Sequence, residues 1–293
     1  MAAKFLPYLL AGISVGGQYA LIAIGYTMVY GIIKLINFAH GDIIMVGSYV
    51  ALLFFQSSGL PVWGVIAATA AVSAVLGVTI ERLAYKPLRG GSRMSALITT
   101  IGVSLMLQNG FLLIFGSSPK PFPNHFTGEG FTLGGVTVSR LTAITLVVTV
   151  VLMVLLTLFV NRTRVGKAMR AVSEDQGAAQ LMGINIDTSI SITFAIGSAL
   201  AAVAAVLYSS TYPLINPYMG SMLGLRAFTA AVIGGIGVIP GAMIGGFIIG
   251  IAEALIKRYI SSAMADAIVF ALLIIVLLVK PSGLLGRNER EKV

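Results

Sequence analysis

The chain has 293 residues, 57% of them hydrophobic and only 10% charged, with 19 basic residues against 10 acidic ones for a formal charge of +9. A soluble domain is nearer ~25% charged, so this much apolar surface has to be solvated by lipid. The absence of cysteine excludes disulfides, thiolate metal sites and cysteine nucleophiles, and two histidines are all that remain for imidazole chemistry.

A helix crossing ~30 Å of hydrocarbon needs about 20 apolar residues, and it must be helical because no water satisfies the backbone there. Phe5 to Ile33 is the first such stretch. Lys4 precedes it, but no clear small-residue cleavage site interrupts it, so a retained span is expected rather than a cleaved signal peptide. Within it, Gly12-Ile13-Ser14-Val15-Gly16 matches the nucleophile-elbow pattern; with no strand before it and no acid and histidine partners, the match reads as chance.

The next apolar run, Ile43 to Phe55, is too short to cross alone and follows the polar run Asn37-Phe38-Ala39-His40-Gly41-Asp42. Irregular backbone at membrane depth is tolerated only inside protein or beside water, which makes Asn37, His40 and Asp42 candidates for a translocation path. The alternative is a structural turn in which Asn37 and Asp42 cap the following helix. As a metal site, His40 and Asp42 offer too few ligands.

Leu60 to Ile80 and Met94 to Phe115 are further spans, joined by the basic loop Glu81 to Arg93. Residues 116–140 form an external loop carrying Pro119, Pro121 and Pro123, either a plain connector or a surface for a protein that delivers substrate. Leu141 to Val160 and Ile190 to Tyr212 contain no charge at all. In the loop 161–188 between them, Ser173 and Gln176 have capping-box spacing, and Glu174 and Asp175 lie where the helix dipole would favour anions. Gly183 can end that helix in a left-handed turn. A helix from about Glu174 to Met182 is expected, with Ala178, Ala179, Leu181 and Met182 as an apolar face too small to stand alone. It either packs on its own chain or inserts into a partner.

Met222 to Ile239 holds Arg226, Gly234, Gly235 and Gly237 ahead of Pro240-Gly241, and Ala242 to Ile256 is again short, so each is expected to belong to a broken helix. Such interrupted segments add Gly234, Gly235 and Gly237 to the candidate path. Gly241 with Gly245, and Gly246 with Gly250, have the spacing that lets helices approach closely. Glu253 stands four residues before Lys257, the favoured order for a helical ion pair; Arg226 is the other candidate partner, and a proton relay is the rival role. Ile260 to Val279 is the last span.

Nine crossings with the N-terminus outside put Lys34, the loops 81–93 and 161–188 and the tail from Lys280 on the cytoplasmic side, as the positive-inside rule requires. The expectation is a single all-α domain over residues 1–293. It is a polytopic membrane protein of about 8–10 transmembrane helices, some broken or re-entrant, with a cytoplasmic C-terminus. No phosphate-binding loop ending in Gly-Lys-Ser/Thr occurs, so the chain is not expected to hydrolyse ATP.

Five strings then carry a resemblance: INFAHGD from Ile36, ERLAYKPLR from Glu81, RAVSEDQGAAQLMGIN from Arg170, INPYMG from Ile215 and AFTAAVIGGIGVIPGAMIGG from Ala227. In this order, through almost the whole chain, the sequence resembles the LivH-type permeases of the high-affinity branched-chain amino acid ABC transporters. The resemblance implies a non-enzymatic subunit of the bacterial inner membrane that carries leucine, isoleucine and valine, although related permeases carry other amino acids, amides or urea. It implies that Glu174, Asp175, Gln176, Ala178, Ala179, Leu181 and Gly183 belong to a loop touching the ATP-binding subunits, a loose form of that family's EAA motif. Implied partners are a second, LivM-like permease, two cytoplasmic ATP-binding subunits holding ATP and Mg, and a periplasmic amino-acid-binding protein. No cofactor, metal, catalytic residue or nucleic acid is expected in this chain itself. An ion-coupled carrier and a passive channel are the rivals from other classes, and both would leave the helix near Glu174 without a partner.

Overall fold

The computed structural model describes residues 2–286 apart from 90, 127, 129, 134 and 135; the tail charges Arg287, Arg290 and Lys292 lie outside the described residues. The helices are α1 (Ala2–Ile33), α2 (His40–Ser57), α3 (Val62–Ile80), α4 (Arg93–Phe115), α5 (Arg140–Arg162), α6 (Arg164–Glu174), α7 (Gln176–Leu181), α8 (Ile186–Thr211), α9 (Met219–Gly234), α10 (Ile239–Tyr259) and α11 (Ala265–Val279). A π-helical turn (Glu81–Tyr85) and a 3-10 turn (Lys86–Leu88) prolong α3. The chain is an all-α polytopic membrane protein. Among the described residues six helices are long and apolar enough to cross a membrane, and each of the nine expected apolar segments contains a helix, the last of them, Ile260 to Val279, only from Ala265 onward.

Burial sorts the bundle. The apolar windows of α1 and α8 are 72% and 67% buried inside the chain, whereas those of α4 and α5 are only 17% buried, so α1 and α8 form the centre and α4 and α5 the rim. Because lipid tails are as apolar as leucine, the central helices are held by close backbone approach rather than by hydrophobicity. The α1–α10 seam shows how. A Cβ added at Gly12 would stand 2.8 Å from the Ile251 Cα, one at Gly16 2.8 Å from the Phe247 Cα, and one at Gly246 2.5 Å from the Ala20 Cα. The expected Gly246–Gly250 spacing and the chance-like Gly12–Gly16 pair are thus the two sides of one contact.

Two more expected boundaries need correction. Ala242 to Ile256 is not a short broken piece: α10 has 21 residues and starts at Ile239, with Pro240 in its first turn, where the missing N–H is harmless. Met222 to Ile239 is a helix only to Gly234, followed by a turn in which Gly235 (φ +107°) and Gly237 (φ +95°) adopt left-handed backbone. The C-terminal segment covers this turn, since Leu284 N–H donates to Ile233 O (2.8 Å) and Leu285 N–H to Gly234 O (3.0 Å). Those bonds satisfy the last carbonyls of α9, groups that otherwise lack intrahelical partners.

The segment 116–140 is tied down. Its strand β1 (Lys120–Pro121) pairs antiparallel with β4 (Leu214–Ile215), β2 (Phe131–Leu133) pairs with β3 (Val136–Val138), and His125 stacks on Phe55 of α2 at 4.2 Å. It therefore clamps the ends of α2 and α8, at the end of the bundle opposite α6 and α7.

Candidate functional site

Two features that the sequence set apart lie against one another at the end of α1. The first is the helical knob α6–α7. Thr163 caps α6 by accepting from Gly166 N–H (3.0 Å), and Met169 and Val172 are buried on the bundle side of α6, which packs on α1, α5 and α8. The expected single helix from Glu174 is not what forms. Asp175 accepts from Ala178 N–H (2.9 Å) and caps a separate α7, so Glu174 ends α6 instead of opening a helix, and Ser173 donates to Arg170 O (2.7 Å) instead of capping. A carboxylate outcompetes a hydroxyl for cap donors two residues on, which moves the break. Gly183 does end α7 in left-handed backbone (φ +79°).

The expected apolar face of α7 divides. Ala179 is buried against the bundle, Ala178 is exposed, and Leu181 and Met182 are 90% and 82% exposed. Two large apolar side chains thus protrude at the tip. The knob is fastened to the centre of the bundle by Gln176, whose Nε2 donates to Ile32 O (3.4 Å) in the last turn of α1. Gly237 belongs to this neighbourhood, lining with Gly31, Met169 and Ser173 a cavity of about 80 Å³.

The second feature is the break between α1 and α2, where the chain turns back into the bundle. Lys34 takes left-handed backbone (φ 56°), and α2 begins at His40, whose imidazole lies over Gly25 of α1 and 4.5 Å from the Tyr26 ring. Asn37, His40 and Asp42 are all buried, and the side-chain amide of Asn37, Nε2 of His40 and Oδ2 of Asp42 have no hydrogen-bond partner. The expected capping by Asn37 and Asp42 does not occur. The cap of α2 is Ala39, with no side-chain bond; Asn37 lies two residues too early, and Asp42 already sits inside the first turn, facing α4. Close approach holds the break: a Cβ at Gly224 would stand 2.9 Å from the Gly41 Cα, which brings the starts of α2 and α9 together.

Gln108 of α4, which the sequence reading passed over, completes this site. Its Nε2, with two hydrogens to give, stands within bonding distance of three acceptors, Asp42 Oδ1 (3.0 Å), Ser104 Oγ (3.0 Å) and Ser221 Oγ (2.8 Å), and so joins α2, α4 and α9. Beside it opens a cavity of about 330 Å³ between α4 and α9, walled by Ile101, Leu105, Leu225 and Phe228. The signal was present: Ser104 and Gln108 form an i,i+4 polar pair within an otherwise apolar span, and polar groups in a span face the bundle interior. The structure does not bring Gly234 and Gly235 into this cavity. Gly234 packs against Gly241, and Gly235 against Gly286.

The other buried acids among the described residues, Glu253 and Glu81, are paired. Glu253 accepts from Tyr19 Oη (2.7 Å) and meets Arg226 (3.1 Å) and Lys257 (2.5 Å), while Arg226 also meets Asp266 (2.6 Å). Both expected partners of Glu253 are present at once. Glu81 is bonded by Arg89 and by Ser191 Oγ (2.6 Å), and Arg89 and Lys86 hold Asp187, so the basic loop is fastened to the start of α8.

A family model described as branched-chain amino acid transport system / permease component matches residues 8–277. The high-affinity branched-chain amino acid transport system permease protein LivH of Escherichia coli (strain K12) is 48% identical over 302 aligned positions, covering 99% of this chain and 98% of the relative. The corresponding permease protein BraD of Pseudomonas aeruginosa is also 48% identical, with the same coverage. Among solved structures, PsaBC from Streptococcus pneumoniae in complex with Fab has the same fold, with a TM-score of 0.50 at 14% identity over 96% of this chain and 97% of that one.

Proposed function

The chain belongs to the branched-chain amino acid transport system permease family, and from that premise we propose that it moves leucine, isoleucine and valine as the membrane permease subunit of an ATP-binding-cassette importer. The substrate class comes from the LivH and BraD relatives, whose names carry it. Lacking a phosphate-binding loop, the subunit draws its energy from two cytoplasmic partners that bind ATP and Mg. A second permease and a periplasmic amino-acid-binding protein complete the assembly.

The observation that carries the reading is the placement of α7. Its tip exposes Leu181 and Met182, and its root is bonded to Ile32, five residues ahead of the buried, unsatisfied Asn37. A helix too short to be stable alone is held here by the bundle, with its apolar end free for a partner groove. Closure of the ATPases would press on α6–α7, displace the end of α1 and shift the α1–α2 break. Asn37, His40 and Asp42 then line the path, while Gly234, Gly235 and Gly237 serve it as the tight turn on which α9 is carried. The α4–α9 face, with Ile101, Leu105 and Leu225 exposed, is the side that the second permease covers.

Coexpression with a Walker-type ATPase and a second permease tests this. The expected result is co-purification and ATP-dependent leucine uptake in proteoliposomes. Uptake by this polypeptide alone, under an ion gradient and without nucleotide, would overturn it.

A further inference from the structure

We infer that Asp42, acting through Gln108, receives the α-ammonium of the amino acid during its passage; the inference rests on the permease reading above. Among the described residues three acids are buried, and two of them are met by cations: Glu81 by Arg89, Glu253 by Arg226 and Lys257. Asp42 is the exception. It is 0% exposed, one of its oxygens accepts from Gln108 and the other has no partner, and no cation among the described residues forms a salt bridge with it. A carboxylate buried in a membrane bundle is retained only where something compensates it, and a positively charged cargo group can do so here.

The surroundings fit a neutral, aliphatic amino acid. The two N–H hydrogens of the Gln108 amide are shared among three acceptors, Asp42, Ser104 and Ser221, which fixes the orientation of the amide and turns its carbonyl oxygen, an acceptor, the opposite way in a residue that lines the cavity. An ammonium bonded to that carbonyl would lie within the field of Asp42 without displacing Gln108. Ser221 Oγ accepts from the same amide, so its own proton is available to the cargo's carboxylate. The cavity's volume of about 330 Å³ is at the lower end of the roughly 300–1,000 Å³ of small-molecule sites. Its walls of Leu105, Leu225 and Phe228 suit a branched aliphatic side chain. Its openness to the α4–α9 face matches a transit site, which has to release its occupant as readily as it accepts it.

The test uses the complete importer in proteoliposomes, with leucine-loaded binding protein and ATP supplied. For Asp42→Asn and Gln108→Met, the leucine delivered per ATP hydrolysed is expected to fall about ten-fold or more. Binding-protein-stimulated ATP hydrolysis should persist, and Asp42→Glu should recover part of the transport. Three results would overturn the inference: an unchanged ratio in both variants, a parallel loss of transport and ATP hydrolysis, or loss of assembly with Asp42→Asn while Gln108→Met transports normally. Failure of the permease reading itself would show separately, as an unsubstituted importer that moves no leucine.

Discussion

Gln176 and Ile32, 144 residues apart, are joined by a hydrogen bond from the side-chain amide of one to the carbonyl of the other. The bond ties the root of the protruding α7 to the last turn of the central helix, immediately before the chain re-enters the bundle. In the proposed mechanism this bond is the route by which a push on α7 would reach α1.

The tip of α7 provides the first prediction. Leu181 and Met182 are almost fully exposed, so replacing both by Asp costs this chain little, within about 0.5 kcal/mol per site. Membrane insertion and thermal stability in detergent should be unchanged, while co-purification of the ATPase is lost. Retained co-purification would show that the partner docks elsewhere.

The glycine seam gives a prediction about stability. A side chain at Gly250 would run into the backbone of Gly12 and Gly16, so Gly250→Leu should destabilise by about 1–3 kcal/mol or more through overpacking. Gly110 of α4 has open space around its Cβ position, and Gly110→Ala should be neutral or stabilising by up to about 1 kcal/mol. Thermal unfolding of the two variants in detergent should move in opposite directions, or the second not at all.

Glu253 separates a structural ion cluster from a proton relay. Glu253→Ala removes one of the two carboxylates that meet Arg226 and leaves Asp266 as the other, so it should destabilise by less than the about 3–5 kcal/mol of a fully orphaned buried charge. Leucine uptake at saturating ATP should nonetheless stay insensitive to collapse of the proton gradient in the unsubstituted protein. Inhibition by a protonophore with ATP held constant would favour the relay.

Much of this architecture was legible in the sequence because the spans obey a single length requirement and charges are scarce enough for each to stand out. Phe5 to Ile33 lies within α1, and Ile190 to Tyr212 lies within α8 but for its last residue. The Glu253–Lys257 spacing and the Gly246–Gly250 pair also led to real contacts. What escaped depends on competition or on distance. Ser173 and Asp175 both suit a helix start, and only the packing of Met169 and Val172 lets α6 run on to Glu174. Asn37 and Asp42 look like caps, yet Asn37 is buried without a partner and Asp42 is bonded by Gln108, 66 residues beyond it, a pairing that no local pattern reveals.

The most direct test of the lever is leucine uptake by proteoliposomes holding the complete importer, in which Glu174 and Asp175, both exposed beside the tip, are replaced together by Lys. Asp175→Asn alone, which keeps an oxygen for the Ala178 N–H, controls for loss of the cap. The account predicts that the double reversal abolishes uptake at undiminished membrane insertion while Asp175→Asn retains it. Normal uptake by the double variant would contradict it.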